Sequence, residues 1–130
     1  MAGFTLVELM VVVLIVAVLA AIAYPGYRSH VVKTQRGAAK ACLAQYAAFM
    51  ERRYTTELTY TGAVPDLDCA VEGNMEQNYA FTVPNPTATT YTATATPTTA
   101  FAARDTQCGT LTLTQAGVRN VSTGNTEDCW

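Results

Sequence analysis

The feature that most constrains this chain is an apolar run close to its N-terminus. Between Glu8 and Arg28 there are 19 residues without a charged side chain, and residues 9–23 read LMVVVLIVAVLAAIA. The run is continuous rather than alternating, and with its flanks it approaches the roughly 20 apolar residues that cross the core of a bilayer. It therefore predicts a membrane helix and leaves the rest of the chain to build a small globular unit with a modest core.

The residues that flank the run do not fit a secretory signal that is cleaved behind its apolar core. Such a signal has a basic beginning and a small-residue cleavage site after the apolar segment. Here the preceding residues, MAGFTLVE, contain no Lys or Arg, and the run leads directly into Tyr24, Pro25 and Gly26. Glu8 has two interpretations at this point, because a carboxylate in lipid usually has a partner but can also mark the water boundary of a helix.

Helical spacing returns after Gly26. Apolar or small residues recur at Ala39, Cys42, Leu43, Tyr46, Phe49 and Met50, while Lys33, Arg36 and Lys40 are assigned to another face. The pattern predicts one long helix over residues 4–54, which at 1.5 Å per residue protrudes from a core of this size. Pro25 and Gly26 predict a kink or local melting within it.

The second half of the chain changes to a period of two. Residues 55–78 carry turn signals and predict a connecting loop. Residues 79–83, 91–96 and 109–114 alternate in the manner of strands, and a further element is expected around residues 118–121. The sequence thus predicts an α+β fold in which the long protruding helix packs on a small antiparallel sheet of three or four strands.

Four cysteines, Cys42, Cys69, Cys108 and Cys129, follow the apolar segment without a Cys-x-x-Cys pair, and His30 is the single histidine. This spacing disfavours a zinc site and fits an exported chain with two disulfides. Three pairings are open. We expect Cys42–Cys69, which ties the loop to the helix, and Cys108–Cys129, which fastens the C-terminus to the sheet.

The charge of the chain and the motifs that it lacks exclude several classes of function. The chain has 8 Lys plus Arg against 10 Asp plus Glu and a pI near 5.2, which argues against general nucleic-acid binding but leaves a local basic patch open. No P-loop, nucleophile elbow or metal-ligand cluster is present in the sequence, so we expect no enzyme activity, no cofactor and no metal.

The N-terminal heptapeptide GFTLVEL at residues 3–9, followed by the apolar run, resembles the class III signal of type IV pilins and pseudopilins. The resemblance implies cleavage by a prepilin peptidase between Gly3 and Phe4, N-methylation of Phe4 and retention of the helix. It also implies that Glu8 pairs with the Phe4 amino group of a neighbouring subunit and that Pro25 interrupts the helix. The expected organisation is a leader at residues 1–3, a transmembrane and polymerisation half at 4–27, and a globular domain at 28–130.

The whole chain resembles the type IV pilin fold. The segments ACLAQY (41–46), MERRYT (50–55), LTYT (58–61), CGTLTL (108–113) and DCW (128–130) are similar to PilE-type minor pilins, although sequence pattern does not separate minor from major subunits. The resemblance implies a structural pilus subunit, anchored once in the inner membrane and then assembled into an extracellular fimbrium. Its implied partners are other pilin subunits, the prepilin peptidase and the inner-membrane assembly machinery.

Adhesion, twitching motility and DNA uptake all remain open as the use of such a pilus. An alternative of another class is a DNA-binding minor pilin that acts as a receptor in transformation. Its candidate contacts are Arg52, Arg53, Arg104 and Arg119. A pseudopilin of type II secretion is disfavoured by the two expected disulfides.

The leader departs from the family pattern. Met1-Ala2-Gly3 lacks the usual Lys or Arg, whereas Arg28, Lys33, Arg36 and Lys40 follow the apolar run, so the positive-inside rule has little to act on before the helix. We expect the start of translation to lie upstream. The alternative is a minimal leader, which would put efficient insertion and processing in doubt.

Overall fold

The computed structural model describes residues 3–130, so Met1 and Ala2 of the predicted leader lie outside the described residues. The chain comprises two units, one that ends at Lys33 and one that spans Thr34–Trp130. Helix α1, Leu6–Glu57, contributes to both. It is about as long as the sequence predicts, and it continues through Pro25, so of the predicted kink or local melting the melting is not seen between Leu6 and Glu57.

The first unit consists of the N-terminal part of α1. Thr5 caps the helix, because its Oγ1 accepts a hydrogen bond from the Glu8 backbone N–H at 3.2 Å. The large apolar side chains that follow are exposed, including Leu9, Val13 and Leu19. Of the helices in the described residues, α1 is the one with the length and apolarity to cross a membrane.

The second unit holds an antiparallel sheet with strand order β1-β2-β3-β4. The strands are β1 Tyr79–Thr82, β2 Thr92–Pro97, β3 Leu111–Thr114 and β4 Arg119–Val121. The predicted α+β fold is confirmed, and the fourth element expected near residues 118–121 is β4. Buried side chains alternate with exposed or half-buried ones along β1, β2 and β3, since successive side chains point to opposite faces.

The core of this unit lies between the C-terminal part of α1 and one face of the sheet. The buried side chains of α1 include Ala39, Cys42, Leu43, Tyr46 and Met50, and those of the strands include Tyr79, Phe81, Ala93, Ala95 and Leu111. The Tyr46 and Phe81 rings stack with their centroids 5.9 Å apart. Each large apolar side chain buried here contributes about 1.5 to 3 kcal/mol.

One assignment of the sequence pattern is wrong. Arg36 was placed with Lys33 and Lys40 on a polar face, but Arg36 is 5% exposed, because it lies three residues before Ala39 and seven before Leu43 on the buried stripe. Its charge is compensated by Asp105 at 2.7 Å. Burial of an arginine on this stripe is tolerated because the partner carboxylate is buried with it.

The connections contain short helices that periodicity did not predict. Two 3-10 segments, Asp68–Ala70 and Glu72–Gln77, lie in the loop after α1. Helix α2, Thr99–Ala102, follows β2, and helix α3, Thr126–Cys129, follows β4. Thr98 and Asn125 cap these two helices by accepting backbone N–H bonds. Four-residue helices are too short to show a helical hydrophobic period.

Two disulfides close the connections, and they are the two pairs that we expected from the sequence. Cys42–Cys69 joins α1 to the following loop with a Cα–Cα distance of 5.5 Å. Cys108–Cys129 joins the start of the β3 segment to α3 with a Cα–Cα distance of 5.7 Å. In the chain-entropy description each contributes about 3 to 4 kcal/mol, which is substantial for a domain of this size.

Candidate functional site

The charges of the globular unit are segregated along the chain. Residues 54–103 contain no Lys or Arg. The exposed acids of this stretch are Glu57, Asp66, Asp68, Glu72 and Glu76. The loop after α1 is therefore a poor surface for a polyanion, and the basic candidates lie elsewhere.

Arg52 and Arg53 occupy the last turns of α1 and differ in their surroundings. Arg52 is exposed. Arg53 is half-buried, with its Cζ 5.1 Å from the centre of the Phe49 ring and its Nη2 donating to the Ala63 carbonyl at 2.5 Å. Its Nη1 is buried without a hydrogen-bond partner among residues 3–130. Arg53 thus holds the loop against the helix, whereas Arg52 presents its charge to solvent.

A carboxylate next to Arg52 fixes the end of α1. Glu51 accepts hydrogen bonds from the Tyr60 hydroxyl at 3.0 and 3.1 Å and from the Tyr91 hydroxyl at 3.3 Å. The Tyr60 and Tyr91 rings meet edge to face at 4.8 Å. Burial, and then the neighbouring Glu51 carboxylate, raise the pKa of both hydroxyls. The loops that carry these tyrosines are therefore anchored beside Arg52.

Arg104 lies in the turn after α2. Its Cζ is 5.4 Å from the centre of the buried Phe101 ring, and its Nη2 donates to Asn78 Oδ1 at 3.2 Å. The Asn78 amide donates in turn to Gln35 Oε1 on α1 at 3.1 Å. Arg104 is exposed, but its guanidinium is part of a chain of contacts that joins this turn to the helix.

Asp105, the next residue, forms the buried ion pair with Arg36. Arg36 Nε donates to Oδ2 at 2.9 Å and Nη2 donates to Oδ1 at 2.7 Å. The Tyr79 hydroxyl is buried without a hydrogen-bond partner in the described chain. Its burial, and then the Asp105 carboxylate, raise the pKa of Tyr79. Sequence reasoning missed this pair, although the spacing of Arg36 from Ala39 was a usable signal.

Arg119 lies on the edge strand β4 beside the last residue. Its Cζ is 5.4 Å from the centre of the Trp130 ring. The indole Nε1 donates to the Asn120 carbonyl at 3.1 Å, and Lys40 Nζ on α1 donates to the main-chain oxygen of Trp130 at 3.3 Å. Helix α1 and strand β4 therefore both contact Trp130, α1 through Lys40 on its main-chain oxygen and β4 through Arg119 and Asn120 on its indole.

The backbone conformation of the segment before Trp130, residues 124–129, is constrained at both ends. Gly124 has a φ of +77°, and a Cβ there would collide with the Gln107 carbonyl oxygen. Only glycine fits this close approach, which brings residue 124 next to the residue before Cys108. The Cys108–Cys129 disulfide then closes the segment. Trp130 is placed directly behind the second cysteine, where it is half-buried.

The structure thus places the four arginine candidates at three locations. Arg52 and Arg53 are neighbours on α1, Arg104 follows α2 and Arg119 is on β4. Each location has its own contacts, and no sequence pattern indicated that Arg119 lies over the Trp130 ring. Among residues 3–130 no group of three or more His, Cys, Asp or Glu side chains is arranged to hold a metal ion.

The N-terminal candidates lie in the first unit. Gly3 and Phe4 precede α1, and the Phe4 side chain is 83% exposed. Glu8 is exposed in the first turn of the helix, where a carboxylate also favours the positive end of the helix dipole. Pro25 is exposed inside α1. These side chains are accessible in the single chain.

Comparisons with known proteins divide the chain at the end of its apolar run. Residues 1–24 match the family model described as "Prokaryotic N-terminal methylation motif". Residues 25–112 match the model described as "Type IV minor pilin ComP, DNA uptake sequence receptor". No curated protein gives a significant match.

A solved structure supports the same fold. A type IV pilin from Shewanella oneidensis is similar with a TM-score of 0.54 and 25% sequence identity, over 76% of this chain and 97% of that pilin. The similarity therefore extends over nearly the whole of the solved pilin. Together with the two family models it covers the apolar segment and most of the globular unit.

Proposed function

Because the chain belongs to the ComP family of type IV minor pilins, whose model covers residues 25–112, we propose that it is a pilus subunit that binds DNA during DNA uptake. The family match is the observation that carries this proposal. Its fold is that of structural pilins. The sequence left adhesion, twitching motility and DNA uptake open. We now propose DNA uptake as the main use of the subunit.

The proposed route to the pilus begins at the N-terminus. A prepilin peptidase cleaves between Gly3 and Phe4 and the Phe4 amino group is methylated, which the N-terminal methylation motif supports. The apolar half of α1 holds the chain in the inner membrane before assembly and packs against other pilin subunits in the extracellular filament. Its exposed apolar surface, including Leu9, Val13 and Leu19, needs such partners because water is a poor solvent for it.

Glu8 and Pro25 have proposed roles in that assembly. Removal of the leader creates a cationic amino group on Phe4, four residues before Glu8 in the sequence. Pairing of the Glu8 carboxylate with this amino group on a neighbouring subunit cancels two charges in apolar surroundings. Pro25 lacks a backbone donor, and we propose that α1 yields there when subunits pack.

The proposed DNA contacts are Arg52 and Arg119. Both are exposed, and both lie outside the acidic loop at residues 57–76. Arg53 and Arg104 also came from the sequence as candidates, but their guanidinium groups donate to Ala63 and Asn78. We therefore give these two a structural role. Arginine at the exposed positions suits phosphate recognition because its planar donors match the phosphate oxygens.

A genetic experiment tests the proposal in the cell. The gene is deleted and complemented with wild type, with Arg52→Gln/Arg119→Gln, with each of these two single variants, and with Arg104→Gln as a control for the single variants that also removes one exposed arginine. Surface pili and transformation are scored together. We expect normal pili and a loss of transformation in the double variant, and wild-type transformation in the control.

Two outcomes contradict the proposal. Loss of pili on deletion, with transformation restored by the double variant, indicates a structural or initiating subunit without a receptor role. Unchanged transformation after deletion shows that DNA uptake does not depend on this chain. A steep decrease of DNA affinity with salt for the purified chain is the supporting biochemical result.

A further inference from the structure

Trp130 contacts side chains and main chain of two other elements, α1 and β4. A half-buried tryptophan is expected to satisfy its indole N–H, and Nε1 does so on Asn120. The ring also carries the Arg119 guanidinium at 5.4 Å, and the main-chain oxygen of the same residue accepts from Lys40. One residue thus contacts both neighbouring cations.

Stacking on an indole changes what Arg119 can do. An arginine on a surface strand normally has many rotamers, and ordering it for each contact costs conformational entropy. A guanidinium that lies over an aromatic face is restrained by a cation–π interaction, while the N–H groups at its edge stay available as donors. Arg119 is exposed, so these donors face solvent in an ordered arrangement.

Lys40 is a second cation in contact with Trp130, on its main-chain oxygen rather than on its ring. Lys40 lies on α1, whereas Arg119 lies on β4. Both residues contact Trp130. The Lys40 ammonium has three donors and uses one of them on Trp130 at 3.3 Å. Because Lys40 is only half-buried, it has donors left for a further acceptor.

The position of Trp130 is constrained by the neighbouring disulfide and by helix α3. Trp130 follows Cys129, which is 1% exposed and bonded to Cys108, itself 0% exposed. The backbone N–H of Trp130 closes α3 by donating to the Thr126 carbonyl at 2.9 Å. The residue whose ring lies under Arg119 is therefore attached to the core of the unit.

We propose that Trp130 is a positioning residue that holds Arg119 and Lys40 as a two-cation site for the phosphodiester backbone of DNA. The inference rests on the proposed function and deepens it, because it says which residue makes the arginine contact effective. The ligand chemistry is that of a phosphate group, so this site contributes to affinity and placement rather than to base readout. Trp130 acts through Arg119 and Lys40.

Arg104 provides a control for the effect of stacking alone. Arg104 lies over Phe101 at 5.4 Å, the same distance as Arg119 from Trp130. Its guanidinium, however, already donates to Asn78. Stacking on a ring is thus present at both places, whereas the residue under Arg119 also contacts a second cation, Lys40.

The test measures how DNA affinity depends on salt. The full chain is purified in a nonionic detergent, and its binding to a short mixed-sequence DNA duplex is measured over a series of NaCl concentrations. Each phosphate contact contributes about 0.9 to the slope of log affinity against log salt. The proteins are wild type, Arg119→Ala, Trp130→Ala, the double variant of these two, Trp130→Phe and Arg104→Ala, each with its melting temperature measured.

We expect Arg119→Ala to reduce the slope by about 0.9 and Trp130→Ala to reduce it by about the same amount, because alanine at position 130 keeps the main-chain oxygen that accepts from Lys40. The double variant then matches Trp130→Ala, since the arginine contact is already lost. Trp130→Phe keeps an aromatic face and stays near the wild-type slope. Arg104→Ala leaves the slope unchanged.

The inference is overturned if Trp130→Ala keeps the wild-type slope, or if its effect simply adds to that of Arg119→Ala. A loss of melting temperature in Trp130→Ala with an unchanged slope assigns the tryptophan a purely structural role. Failure of wild type to bind the duplex at any salt concentration contradicts the proposed function itself. The two failures are therefore distinguished by the wild-type curve.

Discussion

Arg36 and Asp105 form a bidentate ion pair inside the globular unit, with Nε–Oδ2 at 2.9 Å and Nη2–Oδ1 at 2.7 Å. Their side chains are 6% and 2% exposed, and they are 69 residues apart in the sequence. The pair joins α1 to the turn after α2. Because two buried charges compensate each other, loss of either one leaves the other without a partner.

The first prediction concerns the stability that depends on this pair. Asp105→Asn should lower the free energy of unfolding by about 3 to 5 kcal/mol, because the Arg36 charge stays buried without a counter-charge. Replacement of both residues by apolar ones, Arg36→Met/Asp105→Leu, should recover most of that loss. Urea unfolding of the full chain in nonionic detergent, followed by Trp130 fluorescence, measures the difference.

Lys33→Met is the control for this experiment, since Lys33 is exposed on the same helix. It removes one positive charge and should leave the unfolding midpoint unchanged. An Asp105→Asn chain as stable as wild type would show that the pair contributes no net stability.

The second prediction is the processed N-terminus. Mass spectrometry of chains from sheared pili should show a start at methylated Phe4, because cleavage there provides the cationic partner for Glu8. An inactive prepilin peptidase strain supplies the uncleaved control. A start at Met1 in assembled pili contradicts both the cleavage site and the proposed pairing.

The third prediction separates assembly from folding at Glu8. Glu8→Ala should reduce incorporation into filaments while the melting temperature of the full chain in detergent stays the same, because Glu8 is exposed in the first unit. Immunoblots of sheared pili and of membranes give the two amounts. If the variant is incorporated as well as wild type, Glu8 only marks the end of the apolar segment.

The fourth prediction is the disulfide connectivity in the oxidised protein. A peptide map without reductant should join Cys42 to Cys69 and Cys108 to Cys129, which are 5.5 and 5.7 Å apart at their Cα atoms. The same digest after reduction and alkylation is the control. A peptide that joins Cys42 to Cys129 would show that the local-geometry argument for the pairing is wrong.

The fifth prediction concerns alkaline pH. Burial and the Glu51 carboxylate raise the pKa of Tyr60 and Tyr91 above the ordinary value of 10.0. The unfolded chain therefore releases these protons first, so their contribution to stability is complete below about pH 10 and is lost as pH rises further. Glu51→Gln should shift tyrosinate formation to lower pH, measured by ultraviolet absorbance, because it removes a negative charge beside both hydroxyls.

Glu57→Gln is the matched control for the titration. Glu57 is an exposed acid at the end of the same helix. Its replacement should leave the tyrosine titration unchanged, since it takes no part in the contacts of Tyr60 and Tyr91 described here. Identical titration curves for Glu51→Gln and wild type would show that burial alone sets these pKa values.

The helix in the N-terminal half of the molecule could be predicted from the sequence because the signals for it are local. An uninterrupted apolar run identifies a membrane-competent helix without reference to any other segment, and the heptapeptide at residues 3–9 is read directly. Strand alternation in β1, β2 and β3 is local in the same sense, since a period of two follows from the geometry of a single strand. The sequence left three disulfide pairings open, and the places of the four cysteines relative to these elements only favoured the pairing that we expected.

What only the tertiary structure decided was the environment of the charged residues. Arg36 and Lys33 look alike in the sequence, yet one is buried against Asp105 and the other is exposed. Arg119 and Arg104 both lie over an aromatic ring at 5.4 Å, but Asn78 holds one guanidinium and Trp130 supports the other. Such partners are distant along the chain, and the energy of a charge depends on its neighbours and its burial. A one-dimensional pattern contains neither quantity.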